Sequence, residues 1–259
     1  MNELVQLDLG DLGWASGIIG MALVLSRWQG LGLEGQLLIA TGRSILQLLV
    51  VGYIIALIFS IDNPLAVLGI LFVMVITATI TAKNRISKKL RGLLPTVLVS
   101  LLISSTVTIG YTIAAIIQPE TWYSPQYLIP LMGMVLGNAM NSAALAGERL
   151  TSAIEQNQLS IETHLCLGAT APEAIASYKK DAIRASLIPT LNQMMVVGLV
   201  SLPGMFTGQV LAGSDPLNAA SYQILILFMI ALTNLIAAIL VTEGVYRQFF
   251  TPWSGLKTF

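Results

Sequence analysis

LAVLGILFVMVITATITAKNRISKKLRGLLPTVLVSLLISSTVTIGYTIAAII, residues 65–117, decides the architecture. Two apolar runs, 65–82 and 93–117, flank a short segment holding Lys83, Arg85, Lys88, Lys89 and Arg91. A helix needs about 20 apolar residues to cross the hydrocarbon core of a bilayer. Short loops rich in Lys and Arg stay on the cytoplasmic side. The pattern therefore predicts two membrane-spanning helices joined inside the cell.

Working outward, further apolar runs lie at about 10–26, 36–60, 128–147, 187–213 and 220–243, which predicts about seven spans. The run at 187–213 carries Pro189, Pro203 and Gly204, so a kinked or broken helix is expected there. Of the 13 basic residues, Arg43 alone falls inside a span. All the others, from Arg27 to Lys257, fall on one side, and 1–9, 61–64, 118–127 and 214–219 hold none. That asymmetry predicts an outside N-terminus and an inside C-terminus. Arg43 stands about seven residues into its span, where it either snorkels to the inner headgroups or meets a polar partner in the bundle. Trp122, Tyr123 and Tyr127 mark one outer boundary.

The composition agrees. The 259 residues are 55% hydrophobic and 10% charged, against roughly 25% charged in soluble domains. Mean hydropathy is +0.80. Zero net charge leaves no footprint for nucleic acid, and the single cysteine, Cys166, cannot form an intrachain disulfide. The N-terminal MNELVQLDLGD lacks the basic start of a cleavable signal peptide. The expected fold is an all-α polytopic bundle in a single membrane domain, 1–259.

Function classes narrow next. No Asp or Glu lies well inside a span, and Glu243 sits at the end of the last one. Ion-coupled carriers place carboxylates at membrane depth, so that class is disfavoured. There is no HExxH for a metalloprotease and no GxxxxGK[ST] for a nucleotide. An enzyme is not expected. If ATP drives the protein, another subunit hydrolyses it.

The segment 148–186 is the only long loop, and it is patterned. Ser160 to Leu167 predicts a short helix, and Gly168 follows where a left-handed terminating residue is favoured. Thr170, Pro172 and Glu173 read as a capping box opening a second helix from Ala171 toward Leu187. That helix gathers Ile175, Tyr178 and Ala182 on one face, with Lys179, Lys180, Asp181 and Arg184 largely elsewhere. Geometry alone leaves two readings: a surface hairpin lying on the membrane, or a docking element for a partner.

Met134, Asn138, Asn141 and Leu145 share one helical face of the fifth span. The sixth adds Asn192, Gln193, Met194 and Met195. These amides and thioethers either join helices, as Gly133/Gly137 and Gly204/Gly208 can by GxxxG packing, or line a cavity that holds a metal ion weakly. Met134, Asn138, Asn141, Asn192 and Met195 are the candidate pathway residues.

ETHLCLGATAPEA, residues 162–174, resembles the E-A-A-x3-G coupling loop of ABC importers, with Thr163 and His164 in place of the two alanines and no I-x-L-P at the usual spacing. GMVLGNAMN (133–141), LGATAPEA (167–174) and IPTLNQMMVVGLVSLPGMFTGQVLAGSDPLNAASYQI (188–224) resemble the FetB-type ABC permeases. That family includes bacterial proteins assigned to iron export and plant half-transporters linked to aluminium tolerance. The resemblance implies a permease with no cofactor of its own, paired with a separate cytoplasmic ATPase that binds ATP and Mg. It implies that the partner docks on Glu162, Leu167, Gly168, Ala169, Thr170, Glu173 and Ala174, and that the cargo is a metal ion such as iron, moved outward. A homodimer is expected, because a chain of this size would pair to enclose a pathway. An ion-coupled secondary transporter and a non-transporting membrane scaffold remain the alternatives. A bacterial inner membrane is the expected location.

Overall fold

The computed structural model describes residues 8–61, 63–87, 90, 92–250 and 255–256. Ten α-helices and one π-helical segment account for nearly all of them. Helix is what lipid demands, because a spanning backbone must satisfy its own hydrogen bonds. Lys88, Lys89, Arg91 and Lys257, which contribute to the charge asymmetry, lie outside the described residues.

The helices are α1 (Leu9–Trp28), α2 (Glu34–Ile61), α3 (Pro64–Ile86), α4 (Leu93–Tyr111), α5 (Pro125–Gln156), α6 (Gln158–Cys166), α7 (Ala171–Ala174), α8 (Ala176–Val196), α9 (Gly204–Leu211) and α10 (Pro216–Phe249). The π-helical segment, Thr112–Ile117, continues α4. Gln118 ends it in the left-handed conformation (φ 44°), and Pro119 follows. Proline opens α5 and α10, where its missing N–H costs nothing. The Asp215 carboxylate caps α10 by accepting from the Asn218 N–H at 3.1 Å.

Among the described residues, five helices are long and apolar enough to cross a membrane: α2, α3, α4 with its π-helical extension, α5 and α10. The seven expected spans thus reduce to five by length and composition. α1 is one helix, at the position of the first expected span. The sixth expected span is broken. α8 runs through Pro189 to Val196, residues 197–203 leave the helix with Gly198 at φ 82°, and α9 resumes at Gly204.

The chain divides into two compact units. In the first, α1 packs against α2. Glu34 Oε1 accepts from the buried Ser26 hydroxyl at 3.0 Å, tying the start of α2 to the end of α1. Arg43 is exposed on α2.

The second unit is built around α5 and α10, which pack against each other and against α4 and α8, with α3 on α5. Val135, Ala139, Ala143, Leu150, Ala237, Val241 and Val245 are fully buried there. Close approach is set by Gly244, whose hydrogen faces the Thr96 side chain of α4, and by Gly147, where a Cβ would stand 2.8 Å from Ile86 of α3. The GxxxG glycines do not do this. Gly137, Gly204 and Gly208 have open space around them, and Gly133 is in ordinary contact with Met74.

Buried hydroxyls on α4 and its π-helical extension bond back to the helix, Ser105 to the Leu101 carbonyl and Thr112 to that of Thr108, as Ser and Thr do in apolar surroundings. The Thr108 hydroxyl of α4 also bonds across helices, accepting from the Thr233 hydroxyl of α10 at 2.9 Å.

Candidate functional site

The expected loop 148–186 is shorter than its sequence pattern indicates. α5 extends to Gln156 and α8 begins at Ala176. Between them, α6 and α7 form the expected helix–glycine–helix. The Leu165 carbonyl accepts from the Gly168 N–H at 3.0 Å and the His164 carbonyl from the Ala169 N–H at 3.0 Å. Gly168 sits at φ 95°, a backbone conformation that glycine adopts without the clash a Cβ would bring.

Thr170 opens α7 with its capping box formed. The Glu173 carboxylate accepts from the Thr170 N–H at 2.8 Å and from the Thr170 hydroxyl at 2.6 Å. Those two bonds, the hydroxyl's first, hold the Glu173 carboxyl below the usual carboxylate range. The second helix of the hairpin differs from expectation. It is a single turn, Ala171–Ala174, stepping at Ile175 into α8. Ala171, Ala174, Ile175 and Ala182 are buried and root the hairpin, with Tyr178 half-buried on the same side.

What the hairpin leaves outside is equally definite. Glu162, Thr170 and Glu173 are exposed, Ala169 is half-buried, and Leu159 and Leu167 are 79% and 80% exposed. Beside it, Lys179 of α8 pairs with Glu243 of α10 at 2.6 Å, and its ammonium lies 5.7 Å from the centre of the Tyr246 ring. Arg247 holds the other Glu243 oxygen at 3.0 Å. A groove of about 460 Å³ runs here between Pro172, Ile175, Lys180, Arg184 and Tyr246.

The candidate pathway residues separate. Met134 and Asn138 are half-buried along a stripe of α5, and Asn138 Nδ2 donates to the Met134 carbonyl at 2.8 Å. Asn141, on the same stripe, is exposed and accepts from Arg85 of α3 at 2.7 Å. Asn192 and Met195 are exposed on α8 and do not join them. The α8 residues that face the bundle are Ala182, Ser186 and Thr190, one turn apart. Asn192 stands two residues past Thr190, about 200° around the helix.

Sequence reasoning missed the polar centre of the bundle. Asn234 of α10 is 2% exposed and donates to the Thr190 hydroxyl at 2.7 Å. The Ser142 hydroxyl of α5 meets the Ser186 hydroxyl and the Asn234 backbone carbonyl, each at 3.3 Å. Asn234 Oδ1 is buried and has no hydrogen-bond partner among the described residues. The available signals were the i, i+4 spacing of Ser186 and Thr190 and an amide, Asn234, in the middle of the last span. Among the described residues, no cluster of three or more His, Cys, Asp or Glu side chains could hold a metal ion.

The protein family UPF0014, described as uncharacterised, matches over residues 9–250. The chain belongs to that family. A UPF0014 membrane protein of Synechocystis, slr1647, is 62% identical over 98% of both chains. The probable iron export permease protein FetB of Escherichia coli is 37% identical over 93% of this chain and 91% of its own. The protein ALUMINUM SENSITIVE 3 of Arabidopsis thaliana is 33% identical over 93% of this chain and 87% of its own. No solved structure matches. This UPF0014 member is a multi-pass protein of the bacterial cell membrane, as its apolar helices and bacterial relatives show.

Proposed function

We propose that this chain is the membrane-spanning subunit of an ABC transporter that exports a metal ion, with ATP and Mg bound by a separate cytoplasmic ATPase. The supporting observation is the α6–Gly168–α7 hairpin. It is closed by its own turn and cap hydrogen bonds, yet it holds Leu159 and Leu167 outside the fold. Exposed leucines outside a lipid-facing helix are costly unless something covers them. Glu162, Leu167, Gly168, Ala169, Thr170, Glu173 and Ala174 form the docking element in this reading.

The lever is α8. It runs from the foot of the hairpin, through the Lys179–Glu243 pair, past Ser186 and Thr190, to the break at 197–203. A push on the hairpin is thus transmitted along a helix of 21 residues into the bundle. In this reading the chain has its N-terminus outside and its C-terminus inside. α1 and the α8–α9 segment supply the two crossings beyond the five long apolar helices, and the active form is a homodimer. Iron is the cargo printed for the Escherichia coli relative, and it comes to this chain only by that relationship.

Co-purification tests the reading. Tagged full-length protein should retain an ATPase subunit and raise its ATP hydrolysis in proteoliposomes. Gly168→Val should keep the ATPase bound while ATP turnover no longer drives export. Export without any ATPase would favour a secondary carrier, and an ATPase that binds but is never stimulated would favour a scaffold.

A further inference from the structure

The methionine and amide residues that the sequence placed in one pathway are divided by the fold, and one part is a chemically coherent cavity. A space of about 250 Å³ lies between α5, α9 and α10, lined among others by Gln126, Pro130, Met134, Met205, Gln209 and Tyr222. The spacing accounts for the convergence. Gln126, Pro130 and Met134 recur every four residues on one face of α5, and Met205 and Gln209 do the same on α9.

Three features give the cavity ligand character. It gathers two thioethers and no charged side chain. Among the described residues Gln209 Oε1 is buried with no hydrogen-bond partner, an open acceptor in apolar surroundings. Pro130 has no N–H to offer the Gln126 carbonyl four residues back, so a second oxygen at the same wall lacks its helical donor. The buried Gln209 oxygen is costly to leave so unless something donates to it or is coordinated by it. Moreover, α9 is a half-helix that follows a break, and irregular backbone at membrane depth is tolerated where it is buried or borders a cavity.

We propose that this cavity binds a soft, thiophilic monovalent cation through the Met134 and Met205 sulfurs, with the Gln209 carbonyl as an oxygen ligand. Thioethers select soft ions over hard ones such as Mg²⁺ or Mn²⁺. An uncharged ligand set holds a cation loosely enough to let it leave, as transport requires. Calling the ion cargo rests on the permease reading above, whereas its binding does not.

Ag⁺, a redox-inert soft cation, is the probe. The full-length protein is purified in detergent with Cys166→Ser, because Cys166 is an exposed free thiol that would itself take Ag⁺. Equilibrium dialysis should show one saturable Ag⁺ per chain, retained in excess Mg²⁺ or Mn²⁺. Met134→Leu/Met205→Leu should weaken it by about tenfold or more, the scale of loss when a metal's surroundings are disturbed. Met21→Leu, at an exposed site on α1, should not. If the double variant does not fold, Met205→Leu alone is judged by the same standard. Unchanged Ag⁺ binding in the Met variants overturns the site, as does displacement by Mg²⁺ or equal loss in Met21→Leu. ATPase co-purification is read on the same samples. Its failure with Ag⁺ binding intact would sink the permease reading alone, and the reverse outcome would sink this site alone.

Discussion

The α6–Gly168–α7 hairpin and the α5–α8–α10 seam are organised in opposite ways. The hairpin is specified by neighbours in sequence: one left-handed glycine, a Thr170–Glu173 cap and a few small residues at its root. The seam is specified by residues far apart in the chain. Ser142, Ser186, Thr190 and Asn234 meet only because three helices pack at close range. Locally coded structure can remain intact while it is pushed. A seam of a few cross-helix bonds, with an Asn234 oxygen unpaired among the described residues, can exchange partners. The pairing suits the proposed function, a docking element attached to a bundle that changes state.

The strongest attack on this contrast is at the close approach within the second unit. Gly244→Val should destabilise the protein by about 1–3 kcal/mol, the cost of overpacking, because its new side chain would overlap Thr96. Thermal unfolding in detergent reads the loss, and unchanged stability would mean that α4 and α10 are not held as described. Gly168→Val should cost about 1–2 kcal/mol of local strain, since it forces a left-handed residue where nothing else is crowded. Faster hydrogen exchange confined to α6 and α7 would confirm that the hairpin is locally coded. Loss of protection across the whole bundle would refute it.

Asn234→Ala tests the seam. Interhelical polar contacts in membranes average about 0.6 kcal/mol, so stability should fall slightly while transport changes more. A purely structural role predicts that the two fall together. Lys179→Ala should cost less than about 1 kcal/mol, because the Lys179–Glu243 pair is partly exposed and screened. Any transport defect larger than that stability change would locate the lever in α8. The smallest effect concerns pH. The Glu173 carboxyl is depressed by its Thr170 bonds, so the cap is at full strength above the ordinary carboxylate range and is lost as pH falls through the lowered value. Exchange in α7 should rise only at such acid pH, and Glu173→Gln should remove the dependence.

Much of the hairpin was legible in the sequence because its causes are local. Gly168 after a short amphipathic run, and Thr170 three residues before Glu173, identify a turn and a cap wherever they occur. The membrane character was equally legible, because a composition this apolar cannot cover a surface in water. The boundaries were not. α5 overran its expected end by nine residues, to Gln156, since a helix packed on α8 and α10 continues past the point where its sequence turns polar. The GxxxG glycines misled for a related reason. Gly244 and Gly147 are the close contacts, and which glycine meets a neighbour depends on where that neighbour lies.

The amino-acid order alone determined that this chain lives in a bilayer, and that a short helix ended by Gly168 is followed by a capped turn at Thr170. Hydropathy, charge and capping act over a few residues, so they can be read without knowing the fold. Only the tertiary structure decided that Asn138 and Asn192 part company, that Thr190 meets Asn234, and that Met134 and Met205 face one cavity. In a membrane nearly every helix surface is apolar, so sequence pattern carries little information about which faces meet. Steric fit and the pairing of a few polar atoms make that choice.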